Sequence, residues 1–404
     1  MKKNNKAPKL RFSGYTDDWE QRKLSDYLEV SNEKNTNDVY GKQDVLSVSG
    51  DYGIVNQIEF KGRSFAGASV SNYGVVHTDD IVYTKSPLNS NPYGIIKTNK
   101  GKTGIVSTLY AVYHPKEGTN SDFVQTYFEQ HARMNNYMHP LVNKGAKNDM
   151  KVSAENALKG YVSFPNYEEQ KAIAEAFSII DRLITLHQRK LEKLQNMKKS
   201  CLQKMFPMDG ATVPEIRFSE FQGDWEERTL GSCFDERLES LPDGELLSVT
   251  IGSGIKKFSE LDRHDNSNID KSKYKRVCIG DIAYNSMRMW QGASGRSPYE
   301  GIVSPAYTVV KPIGDIDTQF FAYMFKKKEI IHLFEINSQG LTSDTWNLKY
   351  PAFSKIVVRV PRNVEEQSRI ARFLLELDKL ISCTEQEIEI TKRMKKGCLQ
   401  KMFV

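Results

Sequence analysis

The clearest pattern of apolar and polar positions in this chain is an alternation of three and four residues that runs through two long stretches. Such an alternation, kept over about five heptads between charged flanks, is typical of the seam of a coiled coil. Each stretch is about 39 residues long, which at about 1.5 Å per residue predicts a helix of about 58 Å. The seam positions are Ile173, Phe177, Ile180, Ile184, His187, Leu191, Leu194, Lys198, Cys201 and Met205 in the first stretch and Ile370, Leu374, Leu377, Ile381, Thr384, Ile388, Thr391, Lys395, Cys398 and Met402 in the second.

Both predicted helices have the same start signal. Asn166 and Asn363 each stand three residues before a glutamate, Glu169 and Glu366. This spacing is that of a capping box, in which the first side chain accepts a backbone hydrogen bond and the glutamate reaches back to the cap. We therefore expect the two helices to begin at equivalent points and to pack against each other along their seams.

The regions that precede the two helices have a different pattern. Short β-rich runs separated by Gly, Asn, Ser and Pro predict strands, and helices are expected at Asp122–Met138 and Asp317–Ile336. Each region is therefore predicted to be an α+β globule with many loops. The predicted strand runs are Ile54–Phe60, Gly74–His77, Ile81–Tyr83, Gly104–Tyr113, Ile282–Tyr284, Ile302–Val310 and Ile356–Val360.

The chain carries one frame twice. Pro8–Leu24 returns as Pro214–Leu230 with 9 of 17 positions identical, and Glu168–Phe206 returns as Glu365–Phe403 with 18 of 39 identical. In the regions that lie between these ends, the similarity of the two copies is faint. Repeated ends around divergent middles predict two domains of the same fold that carry different inserts. The predicted organisation is a first domain over 1–165, a long helix over 166–206, a linker over 207–213, a second domain over 214–362 and a second long helix over 363–404.

Composition narrows the class of protein. The chain has 404 residues, and its 57 Lys and Arg against 51 Asp and Glu give a net charge of +6, which permits nucleic-acid binding without requiring it. Its five cysteines form no Cys-x-x-Cys pair, which argues against a disulfide framework or a zinc site. No apolar run approaches 18 residues and no apolar segment follows the basic start. We therefore expect a cytoplasmic protein with reduced thiols and no membrane span.

Motifs of known catalytic chemistry are weak. Asn91-Pro92-Tyr93 resembles the loop with which amino-methyltransferases hold a flipped base, but it lacks the second proline, and no glycine-rich turn for S-adenosylmethionine accompanies it. Gly252-Ser253-Gly254 lacks the third glycine of a dinucleotide loop. The seven histidines have no metal-binding spacing. We therefore predict no catalytic residue, no metal and no cofactor in this chain.

Binding chemistry is concentrated in loops that differ between the two copies. Ile81–Gly104 has four lysines and no acid, and the matching Asn285–Ser297 also has no acid. Arg, Asn and Gln pair with base edges, whereas Lys and Ser suit phosphate oxygens. Taken singly, each residue also fits a solvated loop, and the two tryptophans also fit a core, so the prediction applies to the loops as sets. The candidate DNA contacts are Lys85, Asn89, Asn91, Tyr93, Lys97, Lys100, Lys102, Lys144, Lys147, Asn148, Asn285, Arg288, Trp290, Gln291, Arg296, Thr342, Ser343, Asp344 and Trp346.

The duplicated frame, the helix starts Glu168-Glu169-Gln170 and Glu365-Glu366-Gln367 and the two Leu-Gln-Lys-Met-Phe ends together resemble the specificity subunits of type I restriction-modification systems, the HsdS family. The resemblance covers nearly the whole chain. It implies two variable α+β target-recognition domains, each reading one half of a bipartite, asymmetric site in double-stranded DNA. It also implies that the two long helices form an antiparallel coiled coil that separates the domains, with pseudo-two-fold symmetry.

The same resemblance implies partners that perform the chemistry. Two methylation subunits (HsdM) would bind S-adenosylmethionine, and restriction subunits (HsdR) would hydrolyse ATP, with Mg also on partner subunits. Two other functions stay open from the residues alone. One is a DNA methyltransferase or nuclease whose active site is not recognisable, and the other is a coiled-coil scaffold without a role on DNA.

Overall fold

The structure, a computed structural model, describes residues 7–85, 91–142, 152–208, 210–252, 254–265, 267–342 and 345–404. Its internal contacts divide the chain into two compact units. Unit 1 consists of Met1–Gln188 and Glu387–Val404, and unit 2 consists of Arg189–Gln386. Each unit therefore includes a segment of both long helices. Within the described ranges, no helix combines the length and the apolar character needed to cross a membrane.

Unit 1 is an α+β fold. Its strands are β1 Glu20–Lys23, β2 Leu28–Val30, β3 Leu46–Ser49, β4 Gly53–Asn56, β5 Gly74–Val76, β6 Ile81–Thr84, β7 Ile96–Thr98, β8 Gly104–Val106, β9 Tyr110–Pro115 and β10 Tyr161–Phe164. Its helices are α1 Gln57–Lys61, α2 Ser121–Glu129, α3 His131–Met138, α4 Ala154–Ala157 and the first part of α5 Tyr167–Lys204. A four-stranded sheet of order β2-β9-β6-β7 is accompanied by the pairs β1-β10, β3-β4 and β5-β8, all antiparallel.

Unit 2 repeats this topology strand by strand. Its strands are β11 Glu226–Thr229, β12 Phe234–Glu236, β13 Leu247–Thr250, β14 Gly254–Lys257, β15 Lys275–Val277, β16 Ile282–Asn285, β17 Ser294–Arg296, β18 Gly301–Val303, β19 Tyr307–Pro312 and β20 Val357–Val360. Its helices are α6 Leu230–Cys233, α7 Thr318–Met324, α8 Lys328–Ile336, α9 Tyr350–Phe353 and most of α10 Val364–Lys401. The main sheet has the order β12-β19-β16-β17, and the pairs are β11-β20, β13-β14 and β15-β18. The prediction of two repeated α+β domains is confirmed.

The central strand of each sheet is buried on both faces, which explains its unbroken apolar run. Along β6, Ile81 and Tyr83 join the large core formed with α2 and α5, whereas Val82 joins a smaller cluster with β3, β5 and β8. In β16, Ile282 and Tyr284 likewise face the large core of unit 2. Because side chains alternate across a strand, one strand connects two packing layers in each unit.

The repeated Gly-Ile-Val-Ser runs mark a close approach of two backbones. A Cβ on Gly104 would lie 2.6 Å from the carbonyl oxygen of Asp44, and one on Gly301 would lie 2.4 Å from that of Glu245. Both distances are shorter than a carbon and an oxygen tolerate. Glycine is therefore required at the start of β8 and of β18 for steric reasons.

Both long helices carry the predicted seam. α5 and α10 are 38 residues each, and every predicted seam position is buried or half-buried. In unit 1 the two helices are antiparallel, because Asp181 lies 2.6 Å from Lys395 and His187 lies 4.0 Å from Glu387. In unit 2, Lys198 of α5 pairs with Asp378 of α10.

The ends of the long helices complete the two cores. Met402 and Phe403 are buried in unit 1, where the Phe403 ring lies 6.1 Å from that of Trp19 and 5.6 Å from that of Phe123. In unit 2, the Phe206 ring takes the equivalent place, 6.2 Å from Trp225. The phenylalanine of each repeated Lys-Met-Phe sequence therefore completes a core. We call Phe206 and Phe403 the plugs of these cores.

The predicted capping boxes are half correct. Asn166 caps α5 by accepting a hydrogen bond from the N–H of Glu169 at 3.0 Å, and Asn363 accepts one from the N–H of Glu365 at 2.8 Å. The carboxylate of Glu169, however, accepts two hydrogen bonds of 2.7 Å from the guanidinium of Arg11. The reason is that the carboxylate is buried and gains more from a bidentate cation than from the cap N–H.

Unit 2 has the same kind of arginine–glutamate pair between the start of its frame and the start of its long helix. We call each of these pairs a clasp. Arg217 donates from Nε and Nη2 to the two carboxylate oxygens of Glu366, each at 2.8 Å. The indole of Trp225 adds a third hydrogen bond to that carboxylate at 3.2 Å. The carboxylates of Glu169 and Glu366 are only 1% and 2% exposed, so each depends on its arginine for compensation of its charge.

Several predicted elements have different bounds. The run Ile54–Phe60 becomes a strand only to Asn56, because the Asn56 side chain accepts hydrogen bonds from the N–H groups of Ile58 and Glu59 and caps α1. The expected strands Gly104–Tyr113 and Ile302–Val310 are each two strands with a turn between them. The predictions at Gly74–His77, Ile81–Tyr83, Ile282–Tyr284 and Ile356–Val360 are confirmed to within a residue or two.

The helices expected at Asp122–Met138 and Asp317–Ile336 are each broken into two. Gln130 and Lys327 have extended backbone, with ψ of 113° and 143°. The break turns the second helix back onto the core, so that the Phe334 ring lies 5.3 Å from that of Phe325. A continuous helix would carry this aromatic side chain away from the core.

The Arg217 clasp makes a quantitative prediction. Arg217→Met leaves the carboxylate of Glu366 buried without its cation, so the free energy of unfolding should fall by about 3–5 kcal/mol, as measured by urea denaturation. The matched control is Arg372→Met, which removes the exposed pair between Arg372 and Glu365 on the same helix start. That change should cost less than about 1 kcal/mol. Equal losses for the two variants would contradict a special role for the buried pair.

Candidate nucleic-acid interface

The loop between β16 and β17 is a compact turn held by its own hydrogen bonds. The Asn285 side chain accepts a hydrogen bond from the N–H of Met287 at 3.0 Å, and its carbonyl accepts one from the N–H of Arg288 at 2.9 Å. Met289 is buried in the core of unit 2, which fixes the turn from below. Arg288 is left exposed, with Trp290 and Gln291 half-buried beside it.

The second predicted loop of unit 2 meets this turn. The rings of Trp290 and Trp346 lie 5.3 Å apart in an edge-to-face arrangement. The N–H of Leu348 donates to the carbonyl of Ser286 at 2.8 Å, which joins the two loops through the backbone. Thr342 is exposed, and its N–H donates to the hydroxyl of Thr345 at 3.1 Å. The tryptophans are therefore neither core nor free, because they hold the two loops together at the surface.

A polar cavity of about 320 Å³ opens between the turn and the start of β19. Burial raises the pKa of Tyr307, and the nearby guanidinium groups of Arg263 and Arg288 oppose that rise. Arg288 at the cavity edge, with Arg263 near Tyr307, favours an anionic or electron-rich ligand. The cavity is lined by Asn285, Met287, Arg288, Trp290, Gln291, Ser304, Ala306 and Tyr307.

Arg296 differs from the other basic candidate of this loop. It lies in β17, and its Nε donates to the hydroxyl of Thr318 at 3.0 Å at the start of α7. The guanidinium is half-buried within unit 2. Its contact supports the sheet, so it is a weaker candidate for a ligand contact than Arg288.

In unit 1 the corresponding region contains a small basic cluster. Burial and the nearby Lys34 lower the pKa of Lys85, although Glu155 acts in the opposite sense. The charge of Lys85, disfavoured by burial and by Lys34, would gain from a bound phosphate. Asn91 begins a turn closed by the N–H of Gly94 at 2.9 Å, and the Tyr93 ring packs 6.2 Å from that of His139. The Asn91-Pro92-Tyr93 motif is thus part of a packed turn.

The remaining lysines of unit 1 fall into different settings. Lys97 is half-buried in β7. The amine of Lys100 lies 3.0 Å from Asp79 and 2.7 Å from Asp122, so its charge is already offset by two carboxylates. Lys102 is exposed on the following turn. Lys102 is therefore a better candidate than Lys100 for a phosphate contact.

Part of the predicted interface lies outside the described residues. This applies to Asn89, Lys144, Lys147, Asn148, Ser343 and Asp344.

The structure also exposes a surface of unit 1 that the sequence analysis missed. Tyr52, Phe60 and Phe65 are exposed aromatic side chains around α1. The Lys61 amine lies 4.8 Å from the Phe60 ring and the Arg63 guanidinium 4.7 Å from the Phe65 ring. Interleaved basic and aromatic residues are typical of surfaces that bind nucleic acids. The signal was present in the sequence, but assigning this stretch to a strand concealed it.

No cluster of three or more His, Cys, Asp or Glu side chains suited to a metal ion occurs among the residues that the structure describes. Of the two-glycine motif, Gly252 follows β13 and Gly254 begins β14. The described geometry therefore offers polar loops for binding, organised by a rigid frame.

Comparison with known proteins identifies this frame. A family model for the type I restriction modification DNA specificity domain matches residues 16–196 and again residues 224–392. The putative type I restriction enzyme MjaX specificity subunit of Methanocaldococcus jannaschii is 21% identical over 420 residues, which cover 98% of this chain and 95% of that subunit. The MjaVIII specificity subunit of the same organism is 26% identical over 139 residues, which are 33% of this chain and 32% of that subunit.

A solved structure shows the same fold. The crystal structure of a type I restriction-modification system S subunit from M. genitalium superposes with a TM-score of 0.60 at 13% identity, covering 98% of this chain and 99% of that one. The two matches of the family model together span most of the chain. The chain therefore belongs to the family of type I restriction-modification specificity subunits and carries two copies of its DNA specificity domain.

Proposed function

We propose that this chain is the DNA-binding specificity subunit of a type I restriction-modification complex, and that each unit reads one half of a bipartite, asymmetric site. The observation that carries the proposal is the contrast between the units. They share one strand order, yet the acid-free polar loops between β6 and β7 and between β16 and β17 are unlike in sequence. One scaffold with two different loops is suited to reading two different half-sites.

The chemistry of the unit 2 loops supports reading at base edges. Arg288 and Gln291 stand at a polar cavity with Asn285, and these are the side chain types that form paired hydrogen bonds to guanine and adenine. The loops are held by backbone contacts and by the tryptophan pair, so little order would have to be created on binding. Lysines such as Lys85 and Lys102 in unit 1 would supply affinity for phosphate.

Catalysis is assigned to other subunits in this proposal. Both Methanocaldococcus relatives are named as subunits of restriction enzymes. Specificity subunits are generally non-catalytic, and we infer that this chain too selects the site without modifying or cutting it. Two methylation subunits would then supply S-adenosylmethionine chemistry, and restriction subunits would supply ATP hydrolysis with Mg. Because the ligand is chromosomal or invading DNA, the complex would act in the cytoplasm.

The faces of the long helices outside the seam fit such partners. They expose large apolar side chains at helical spacing, an arrangement suited to a second helix pair. In unit 1 these are Ile179, Leu183, Leu186, Ile390 and Met394, and in unit 2 they are Met197, Phe373, Leu375 and Leu380.

Docking on these faces can be tested by copurification with the methylation subunits. Leu183→Asp combined with Leu186→Asp should reduce recovery of the methylation subunits at least tenfold, because each change places a charge in a desolvated interface. Thermal unfolding of the chain should be unchanged, since both side chains are exposed. Full recovery with the double variant would show that the partners bind elsewhere.

Mapping of methylated bases tests whether each unit reads its half-site independently of the other. The complex with its methylation subunits should methylate one motif made of two unlike half-sites separated by a spacer. Replacing residues 25–165 with the equivalent region of a related specificity subunit should change one half-site and leave the other half and the spacer intact. A simultaneous change in both halves would contradict independent readers, and unspecific methylation would contradict the proposed function.

The loop chemistry predicts opposite effects for two basic residues. Arg288→Ala should relax the choice at one base pair, at a cost of about 1–3 kcal/mol in discrimination, because its guanidinium would no longer read a base edge. Lys102→Ala should weaken binding to all sequences and lower the salt dependence by about one released ion. Fluorescence anisotropy on cognate and random duplexes at several salt concentrations measures both effects. If Arg288→Ala weakened both duplexes equally, Arg288 would be a phosphate contact.

A further inference from the structure

Glu129 and Lys326 carry opposite charges at equivalent corners of the two repeats. Asn120 and Asp317 cap α2 and α7 at a displacement of 197 residues, and the same displacement relates Glu129 to Lys326. Glu129 is the last residue of α2, and Lys326 follows the end of α7 by two residues. The frame thus carries an acid at this corner in unit 1 and a base in unit 2.

In unit 1 the acid completes an ion-pair network. The amine of Lys395 in α10 lies 2.6 Å from Glu129 and 2.6 Å from Asp181 of α5. Burial disfavours the charge of Lys395, but the two carboxylates prevail and raise its pKa. Glu129 therefore stabilises the corner against the paired long helices and makes no contact with the loop between β6 and β7 among the described hydrogen bonds.

In unit 2 the equivalent lysine of the long helix, Lys198, pairs with Asp378 and with no second carboxylate among the described ion pairs. Among the described residues Lys326 forms no ion pair with a carboxylate, and its amine donates to backbone carbonyls instead. It donates to Gly292 at 2.6 Å, to Ser294 at 2.8 Å and to Ile251 at 3.2 Å. Three acceptors for three N–H groups satisfy the ammonium group completely.

These carbonyls belong to the candidate interface. Gly292 ends the turn between β16 and β17 in the left-handed region, with φ of +79°, and Ser294 begins β17. Ile251 lies at the tip of the hairpin between β13 and β14. A single amine therefore joins the recognition turn, the neighbouring hairpin and the corner beside the long helices. Burial, reinforced by the nearby Lys198, lowers the pKa of Lys326 to about 8, so at pH 7 the amine is still mainly protonated and can donate all three bonds.

We propose that Lys326 is a positioning residue for DNA recognition by unit 2, fixing the turn that presents Arg288 and Gln291 without itself touching DNA. The proposal rests on the proposed function of the loops. The ammonium group stands where unit 1 has an acid that pairs with Lys395 of α10, and its three hydrogen bonds go to the loops of unit 2. Its loss should therefore alter what unit 2 reads more than how stably it folds.

The decisive variant is Lys326→Glu, because it restores the acid of unit 1 at the equivalent position. The new carboxylate would face Lys198 as Glu129 faces Lys395, so the melting temperature should change little. The loop would lose its three donors. Methylation by the complex should then rise about tenfold or more at sites with one changed base pair in the half read by unit 2, relative to the cognate site. Discrimination in the other half should be unchanged.

Two further variants separate positioning from charge and from packing. Lys326→Arg keeps donors at this point and should recover most of the discrimination, whereas Lys326→Gln should not. Lys328→Glu makes the same change of charge two residues away, on an exposed side chain without a hydrogen bond to the loops among the described contacts. It should leave the choice of bases intact and at most weaken affinity.

Each outcome decides between the possibilities. If Lys326→Glu and Lys326→Gln both retained wild-type discrimination, Lys326 would not position the turn. If Lys328→Glu relaxed recognition as much as Lys326→Glu, the effect would be one of general electrostatics and the proposal would be wrong. Should Lys326→Glu fold poorly, Lys326→Gln measured against Lys326→Arg gives the same comparison. A wild-type complex that methylates without sequence preference would instead overturn the proposed function itself.

Discussion

The fold depends on a buried ion pair that closes each repeat. Arg11 and Glu169 lie 158 residues apart in the chain, and Arg217 and Glu366 lie 149 apart, yet each pair forms two parallel hydrogen bonds. A buried carboxylate without its cation costs several kcal/mol, so the start of the frame and the start of the long helix are obliged to meet. The segment between them is thereby anchored at both ends, and its surface loops can vary without changing that anchoring.

The second constraint is the aromatic plug at the end of each long helix. Phe403, from the end of the second repeat, is part of the core of unit 1, and Phe206, from the end of the first repeat, is part of the core of unit 2. The clasp and the plug act on neighbouring parts of each core, because Trp19 and Trp225 follow their arginines by eight residues and contact the plugs. Conserving both ends of the frame while the middle diverges is the expected result of this packing.

Local patterns and the internal repeat predict the parts of the fold that depend on residue spacing. The seam of α5 and α10, the caps at Asn166 and Asn363 and the buried runs of β6 and β16 follow from spacing and residue type alone. The partner of Glu169 did not follow, because a capping box and a distant arginine have the same local signature. The breaks at Gln130 and Lys327 also escaped, since tertiary packing of the following helix decides them against a continuous helical pattern. At the interface, the sequence predicts which residues lie in the candidate loops. The roles of Arg296 and Lys100, however, depend on neighbours distant in sequence.

Glu129 and Lys326 hold equivalent positions in the repeated frame but have different partners. The strand order, the clasps and the plugs are the same in both units, whereas the loops and some frame positions that contact them differ. At such a position, a change from an acid to a base replaces a bond to a long helix by bonds to the recognition turn. If only the loops varied, a new turn would have no matching hydrogen bonds from the frame to hold it. A frame residue whose hydrogen-bond partners differ between the units supplies that support to the recognition turn of unit 2.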